Sequence, residues 1–196
     1  MFANRYTAFV DACSLVSVWR RNLLLSLAEA DFLRIRWSQE VLNETESALV
    51  SIFEKKRIPN AKNRAANSVS AMIEAFPEAI VLGFQASSCA LYGLPDQEDE
   101  HVLEAAIRAQ SQTIVTENLK DFPDSILQQF GIEARTADDF IADTIALDEA
   151  KALKVIQTLR NRLNKPELNS VDFIKSLEAH GMFETANILA DKIDLL

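Results

Sequence analysis

Three acidic residues, Asp11, Asp99 and Asp121, are spaced along the chain where chemistry would want them, and Glu44 is a candidate fourth. Asp11 ends a short apolar run, Tyr6 to Val10. Asp99 lies in the first turn of an amphipathic stretch. Asp121 follows the β-branched run Thr113 to Val115 by a few residues, and Glu44 comes after a second apolar run, Phe32 to Arg36. Carboxylates brought together repel, and each costs stability unless something positive sits between them. Mg²⁺ and Mn²⁺ are hard cations that take such oxygen ligands and keep waters. A site of that kind activates a water and stabilises an in-line displacement at phosphorus.

Whether the acids meet depends on the elements that carry them. Tyr6 to Val10 reads as a buried strand, and Leu15 to Ala30 as a helix whose apolar face carries Leu15, Trp19, Leu23 and Leu27. Phe32 to Arg36 is a second strand. Ser38 caps a helix from Gln39 to about Lys56, stopped near Pro59. Another helix, Asn63 to Phe76, stops at Pro77, and Ala79 to Leu82 reads as a strand. Asp96 caps a helix reaching about Gln110, followed by a strand at Thr113 to Val115. Pro123 to Phe130 is helical, with Gly131 at its end, and Ile132 to Arg135 is a last strand. Alternating strands and helices predict an α/β fold, a mainly parallel sheet flanked by helices. Ligands of such sheets bind at the carboxyl ends of the strands, the edge where Asp11, Asp99 and Asp121 fall. After Arg135 strand signals vanish. Asp148 opens a helix to about Asn164, Pro166 breaks it, Ser170 opens another ending near Gly181, and Met182 to Ile193 is helical again. The expected organisation is an α/β domain over residues 1–136 and an all-α C-terminal extension over residues 137–196.

Each carboxylate also has a purely structural reading. Asp11 alone reads as a turn residue or N-cap. Asp96 and Asp99 can be a cap pair, since a helix N-terminus favours negative charge. Helical periodicity puts Asp99 on the apolar stripe of Val102, Leu103, Ala106 and Ile107, with Glu100, Glu104 and Arg108 on the solvent face. An acid at the start of the buried stripe points towards the sheet edge, which favours Asp99 over Asp96 as a ligand. Periodicity does not choose among Glu40, Glu44 and Glu46, and a solvated face is the default for all three. His101 reads as a surface or packing residue, and Asn118 and Asp121 as turn formers.

Composition narrows the classes. The chain has 196 residues, 48% hydrophobic and 25% charged, enough for one ordinary globular domain with a small appendage. Four Gly and five Pro exclude collagen-like and low-complexity sequence, and no glycine-rich phosphate loop is present. The net charge of −9 argues against bulk electrostatic binding to nucleic acid. Any such function must rest on local basic patches, a divalent metal or a partner. Cys13 and Cys89 form no C-x-x-C pair, and with two His in the chain a Cys/His zinc site has almost no support. No apolar run reaches the roughly 20 residues of a membrane helix, and the start shows no signal peptide. A cytoplasmic protein with reduced thiols is expected.

Four segments, FVDACSL, WSQEVLNE, LPDQEDEHVLEAAI and TIVTENLKDFP, occur in this order and spacing. Together they resemble the PIN-domain nucleases, and within them the VapC-like toxins of bacterial toxin–antitoxin systems. The resemblance covers roughly residues 6–135, and the helical tail is similar to an extension found on one branch of these proteins. It implies a PIN-like fold and Mg²⁺- or Mn²⁺-dependent cleavage of RNA by a metal-activated water. Residue by residue, it places the acids on Asp11, Glu44, Asp99 and Asp121, with Thr116 and Asn118 holding or orienting them. It also implies an antitoxin protein as partner and a homodimer.

No side-chain nucleophile is needed for that chemistry. Ser14 and Ser17 lie near Asp11, but no histidine is placed to activate them. Lys55, Lys56, Arg57, Lys62 and Arg64 form a basic cluster that reads as a phosphate-backbone contact or as a solvated helix end. Two rival functions remain. One is a catalytically inactive PIN-like module that binds RNA or protein. The other is a phosphotransferase with an aspartyl-phosphate, which the run DACS disfavours because it lacks a second acid beside Asp11.

Overall fold

Short apolar and β-branched runs build a wholly parallel, four-stranded sheet in the computed structural model, which describes residues 6–83, 92–163 and 167–196. Cys89 and Pro166 lie outside the described residues. The strands are β1 (Thr7–Val10), β2 (Arg34–Arg36), β3 (Thr113–Val115) and β4 (Glu133–Arg135), in the order β2-β1-β3-β4. Phe9 pairs with Arg36 on one side and Ile114 on the other, and Val115 pairs with Arg135. β1 is buried along its whole length, as a parallel strand covered on both faces must be. From β1 the chain goes to β2 on one side and later to β3 on the other. The crevice beyond the carboxyl ends of β1 and β3 is therefore the switch point at which open α/β sheets bind ligands.

Helices cover both faces. Between β1 and β2 run α1 (Ala12–Val16) and α2 (Val18–Glu29), and between β2 and β3 run α3 (Gln39–Lys55), α4 (Ala61–Ala75) and α5 (Glu100–Arg108). A short α6 (Asp124–Leu127) leads to Gly131, whose positive φ of 67° turns the chain into β4. Then come α7 (Ala137–Leu147), α8 (Glu149–Arg162), α9 (Ser170–Ala179) and α10 (Phe183–Ala190).

One hydrophobic cluster joins the sheet to these last four helices. Phe9, Ile114, Ile141, Ile156, Phe173 and Leu189 all belong to it. Trp19 of α2 meets Phe173 of α9 edge-on at 5.6 Å. Buried Asp138 on α7 accepts hydrogen bonds from the backbone N–H of Glu184 (2.8 Å) and Thr185 (2.9 Å), capping α10. Among the described residues no helix is long and apolar enough to cross a membrane.

Several sequence expectations are corrected. The single helix over Leu15–Ala30 is two. Ser17 is extended (φ −71°, ψ 122°), and Arg21 folds back to donate to the Leu15 carbonyl at 2.7 Å, satisfying the end of α1. Ala79–Leu82 is not a strand. Pro77–Ala79 forms a 3₁₀ turn, and Ile80 makes only an isolated bridge to Trp37. Glu100 is not on a solvent face: it is 4% exposed because its carboxylate accepts from the backbone N–H of Tyr92 and Leu94, both at 2.9 Å. Periodicity also gave no sign of α7. Its signal lies in Thr136 and Asp139, a capping pair in which the Thr136 hydroxyl accepts from the Asp139 N–H and donates to its carboxylate.

Candidate active site

The switch-point crevice begins with Asp11, the residue after β1. Its backbone N–H continues the sheet to the Val115 carbonyl at 3.0 Å, so the strand pairing itself places the side chain. That side chain is 5% exposed. Oδ1 accepts from the Ala12 N–H at 2.6 Å, capping α1. Oδ2 accepts from the Thr116 hydroxyl at 2.8 Å and from the Cys13 thiol at 2.9 Å. Burial and the Asp11 charge push the Cys13 thiol up to about 12, so it stays protonated and a donor. The Thr116 hydroxyl in turn accepts from the Asn118 N–H at 3.1 Å, which makes residues 116–118 a tight turn after β3.

Asp99 faces the same crevice from the start of α5. Against the sequence expectation, Asp96 caps not α5 itself but the 3₁₀ turn Gln97–Asp99 that leads into it, accepting from the Glu98 N–H at 2.9 Å; Asp99 holds the N-cap position of α5 and makes no side-chain cap. Burial, followed by the charges of Asp11, Asp96 and Asp121, raises the Asp99 carboxyl to about 6, with His101 opposing. Asp121 ends the 3₁₀ turn Leu119–Asp121, held by its N–H to the Asn118 carbonyl at 2.9 Å. Asp11, Asp99 and Asp121 thus share one electrostatic neighbourhood.

Glu44 projects from α3, exposed, and accepts from His101 Nε2 at 2.9 Å. Burial disfavours the imidazolium, but the Glu44 hydrogen bond and charge, with Asp11 and Glu40, outweigh it and raise the His101 pKa. His101 is therefore the partner of one acid and lies near Asp11, Glu40 and Asp99. Its Nδ1 is buried with no partner among the described residues. Lys55 closes α3, Lys56 and Arg57 follow it, and Lys62 and Arg64 begin α4; all five are exposed. A groove of about 500 Å³ between α3 and α4 is lined by Asn43, Glu46, Ser47, Val50 and Lys62, the last of them a member of this basic cluster.

The donor set offers hard oxygen atoms, mutual repulsion at Asp99 and no unprotonated thiol. That chemistry suits a hard divalent cation. Among the described residues no three His, Cys, Asp or Glu side chains are grouped closely enough to enclose an ion. Sequence reasoning missed two residues of the surroundings, Cys13 and Glu117. Nothing in their spacing marks them: Cys13 meets Thr116 and the Glu117 N–H only through the β1–β3 pairing, and the Glu117 side chain finds its partners in α1, α2 and α7.

The arrangement has a precedent in known proteins. A family model described as PIN domain matches residues 7–120, more than half of the chain. The chain belongs to the PIN domain family. Its last four helices, α7 to α10, match a second family model, the VapC50 C-terminal domain, over residues 137–191. The PIN-domain chain is also similar to a curated Mycobacterium tuberculosis protein named "Putative ribonuclease VapC50". The two are 46% identical over 59 residues, 30% of this chain and 35% of that protein. The matched stretch thus spans about a third of the relative. No solved structure matches. Together these findings identify a VapC-like PIN chain with an α/β fold and C-terminal helices.

Proposed function

We propose that this chain is a metal-dependent endoribonuclease, the toxin of a type II toxin–antitoxin pair. The observation that carries the reading is Asp11, fixed by three donors at the switch point that it shares with Asp99, whose carboxyl burial and then the surrounding acids raise to about 6. Asp11, Asp99 and Asp121, with Glu44 as a fourth acid, are the residues that would hold Mg²⁺ or Mn²⁺. When bound, such an ion supplies positive charge for the scissile phosphate and lowers the pKa of a water. Thr116 fixes the rotamer of Asp11, Asn118 closes the turn that carries Thr116, and His101 holds Glu44. The groove from Asn43 to Lys62, continued by Lys55, Lys56, Arg57 and Arg64, offers an RNA backbone its cationic contacts on a chain of net charge −9.

The similarity to a protein named as a ribonuclease supports the substrate class, and the VapC50 C-terminal match supports a toxin with an antitoxin protein as partner. A cytoplasmic location and a homodimer belong to the same proposal. So does the division into a nuclease unit, 1–136, and a helical extension, 137–196, that completes a shared core. A chain ending after Thr136 would leave that core open and is expected to aggregate.

One observation favours the rival reading, a PIN-like binding module that does not cleave: Glu44 is already paired to His101. Cleavage of single-stranded and structured RNA with Mg²⁺, Mn²⁺ or EDTA separates the two. The nuclease reading expects cleavage in Mn²⁺ or Mg²⁺, none in EDTA and a loss of roughly 100-fold or more for Asp11→Asn. Cleavage that survives EDTA, or that survives Asp11→Asn undiminished, would contradict it.

A further inference from the structure

Glu117 lies between the two residues of the T-x-N segment that support the acids, yet its side chain turns away from them. Its Oε2 pairs with Arg20 Nη2 of α2 at 3.0 Å. Its Oε1 accepts from the Ala137 N–H at 3.1 Å and from the Ser14 hydroxyl of α1 at 3.4 Å. Ala137 is the first residue of α7, where backbone N–H groups lack helical partners and negative charge is favoured. One half-buried carboxylate therefore ties together α1, α2 and α7. Meanwhile its own backbone N–H donates to Cys13 Sγ at 3.2 Å. Cys13 and Thr116 are the two side chains that hold Asp11 Oδ2. Both side chains that hold Asp11 Oδ2 thus depend on where residues 116 and 117 lie, and the Glu117 side chain anchors that position.

We infer that Glu117 is a positioning residue for Asp11, and that through it the first helix of the C-terminal extension is part of the support of the active site. The two family matches end at residue 120 and begin at residue 137, and the Glu117–Ala137 bond joins the two matched segments. The extension does more than cover apolar surface: α7 presents its N-terminus to the loop that fixes the strand-end aspartate. The activity readout rests on the ribonuclease proposal; the other two readouts do not.

The test uses the full chain, with Glu117→Ala, Glu117→Gln, Asp11→Asn and the Glu117→Ala/Asp11→Asn double variant. Three quantities are read: kcat and KM on a quenched single-stranded RNA oligonucleotide in Mn²⁺, Mn²⁺ affinity by calorimetry, and urea unfolding in EDTA. Glu117→Ala is expected to lower kcat and Mn²⁺ affinity by roughly 10-fold or more, the usual effect of losing support behind a metal ligand, with KM within about twofold. Glu117→Gln keeps an acceptor for Ala137 and recovers most of both. In EDTA the stability changes of Glu117→Ala and Asp11→Asn are expected to be non-additive, because the two residues share a network. If Glu117→Ala does not fold, Glu117→Asp, which withdraws the carboxylate from Ala137, is judged by the same criteria. A variant that is less stable, yet has wild-type kcat and Mn²⁺ affinity and additive unfolding energies, would overturn the inference and leave Glu117 a helix anchor only. If the wild type cleaves no RNA, the ribonuclease proposal fails, and Mn²⁺ affinity and the unfolding cycle still decide the role of Glu117.

Discussion

The two sides of the acidic crevice are built differently. On the sheet side, Asp11 is buried and each of its oxygens is engaged, by Ala12, Thr116 and Cys13. On the helix side, Asp99 is half-buried, makes no cap and bears the charges of three other aspartates. The sheet side is satisfied by the protein's own donors. The helix side is left with a repulsion that only a proton or a cation relieves. The difference separates what the fold provides from what a ligand must add.

The largest expected effect lies on the sheet side. Asp11→Asn should reduce RNA cleavage by roughly 100-fold or more, since it removes a ligand charge and not merely its support. A loss of under tenfold in a turnover assay would place the chemistry elsewhere. Thr116→Val comes next. It deletes a buried hydrogen bond to a carboxylate, for which about 1.5–3 kcal/mol of stability is expected by urea unfolding. An unchanged midpoint would mean that Asp11 is not held as described. Asp96→Ala should cost about 1 kcal/mol, the loss of an ordinary cap, and should leave the response to metal intact.

Acidity sharpens the contrast further. Because the folded state raises the Asp99 carboxyl to about 6, folded protein holds that proton more tightly than unfolded chain. This contribution to stability is fully present below the ordinary aspartate pKa and is lost as pH rises through about 6. In EDTA, wild type should therefore lose relative to Asp99→Asn between about pH 4 and pH 7. Parallel melting profiles for the two proteins across that range would show that Asp99 is not crowded by charge.

Much of this was legible in the sequence, for identifiable reasons. The strands at Tyr6–Val10 and Thr113–Val115 are dense, short apolar runs, and strand alternation with helices fixed the parallel sheet. Helical periodicity points Asp99 rather than Asp96 towards the sheet edge because the stripe from Val102 to Ile107 is strongly one-sided, whereas the start of the helix is less legible: Asp96 caps the 3₁₀ turn Gln97–Asp99 and α5 begins only after it. The same periodicity misplaced Glu100. A helix wheel reports which way a side chain points but not that two unpaired backbone N–H groups, at Tyr92 and Leu94, wait there for an acceptor. Pairing between distant segments was equally invisible. His101 reads as a surface or packing residue, and only the approach of α3 to α5 brings Glu44 to it. Glu117 was passed over between Thr116 and Asn118, since its partners come from α1, α2 and α7.

The claim that a cation completes the helix side is tested most directly by thermal melting of wild type, Asp99→Asn and Asp96→Ala, each with EDTA or Mn²⁺. Wild type should gain about 2.7 kcal/mol at a free Mn²⁺ concentration of 100 times its dissociation constant. Asp96→Ala should keep that gain. Asp99→Asn should be at least as stable as wild type in EDTA and lose most of the Mn²⁺ response. A full Mn²⁺ response in Asp99→Asn, with its loss in Asp96→Ala, would contradict the account and move the ligand to the other aspartate.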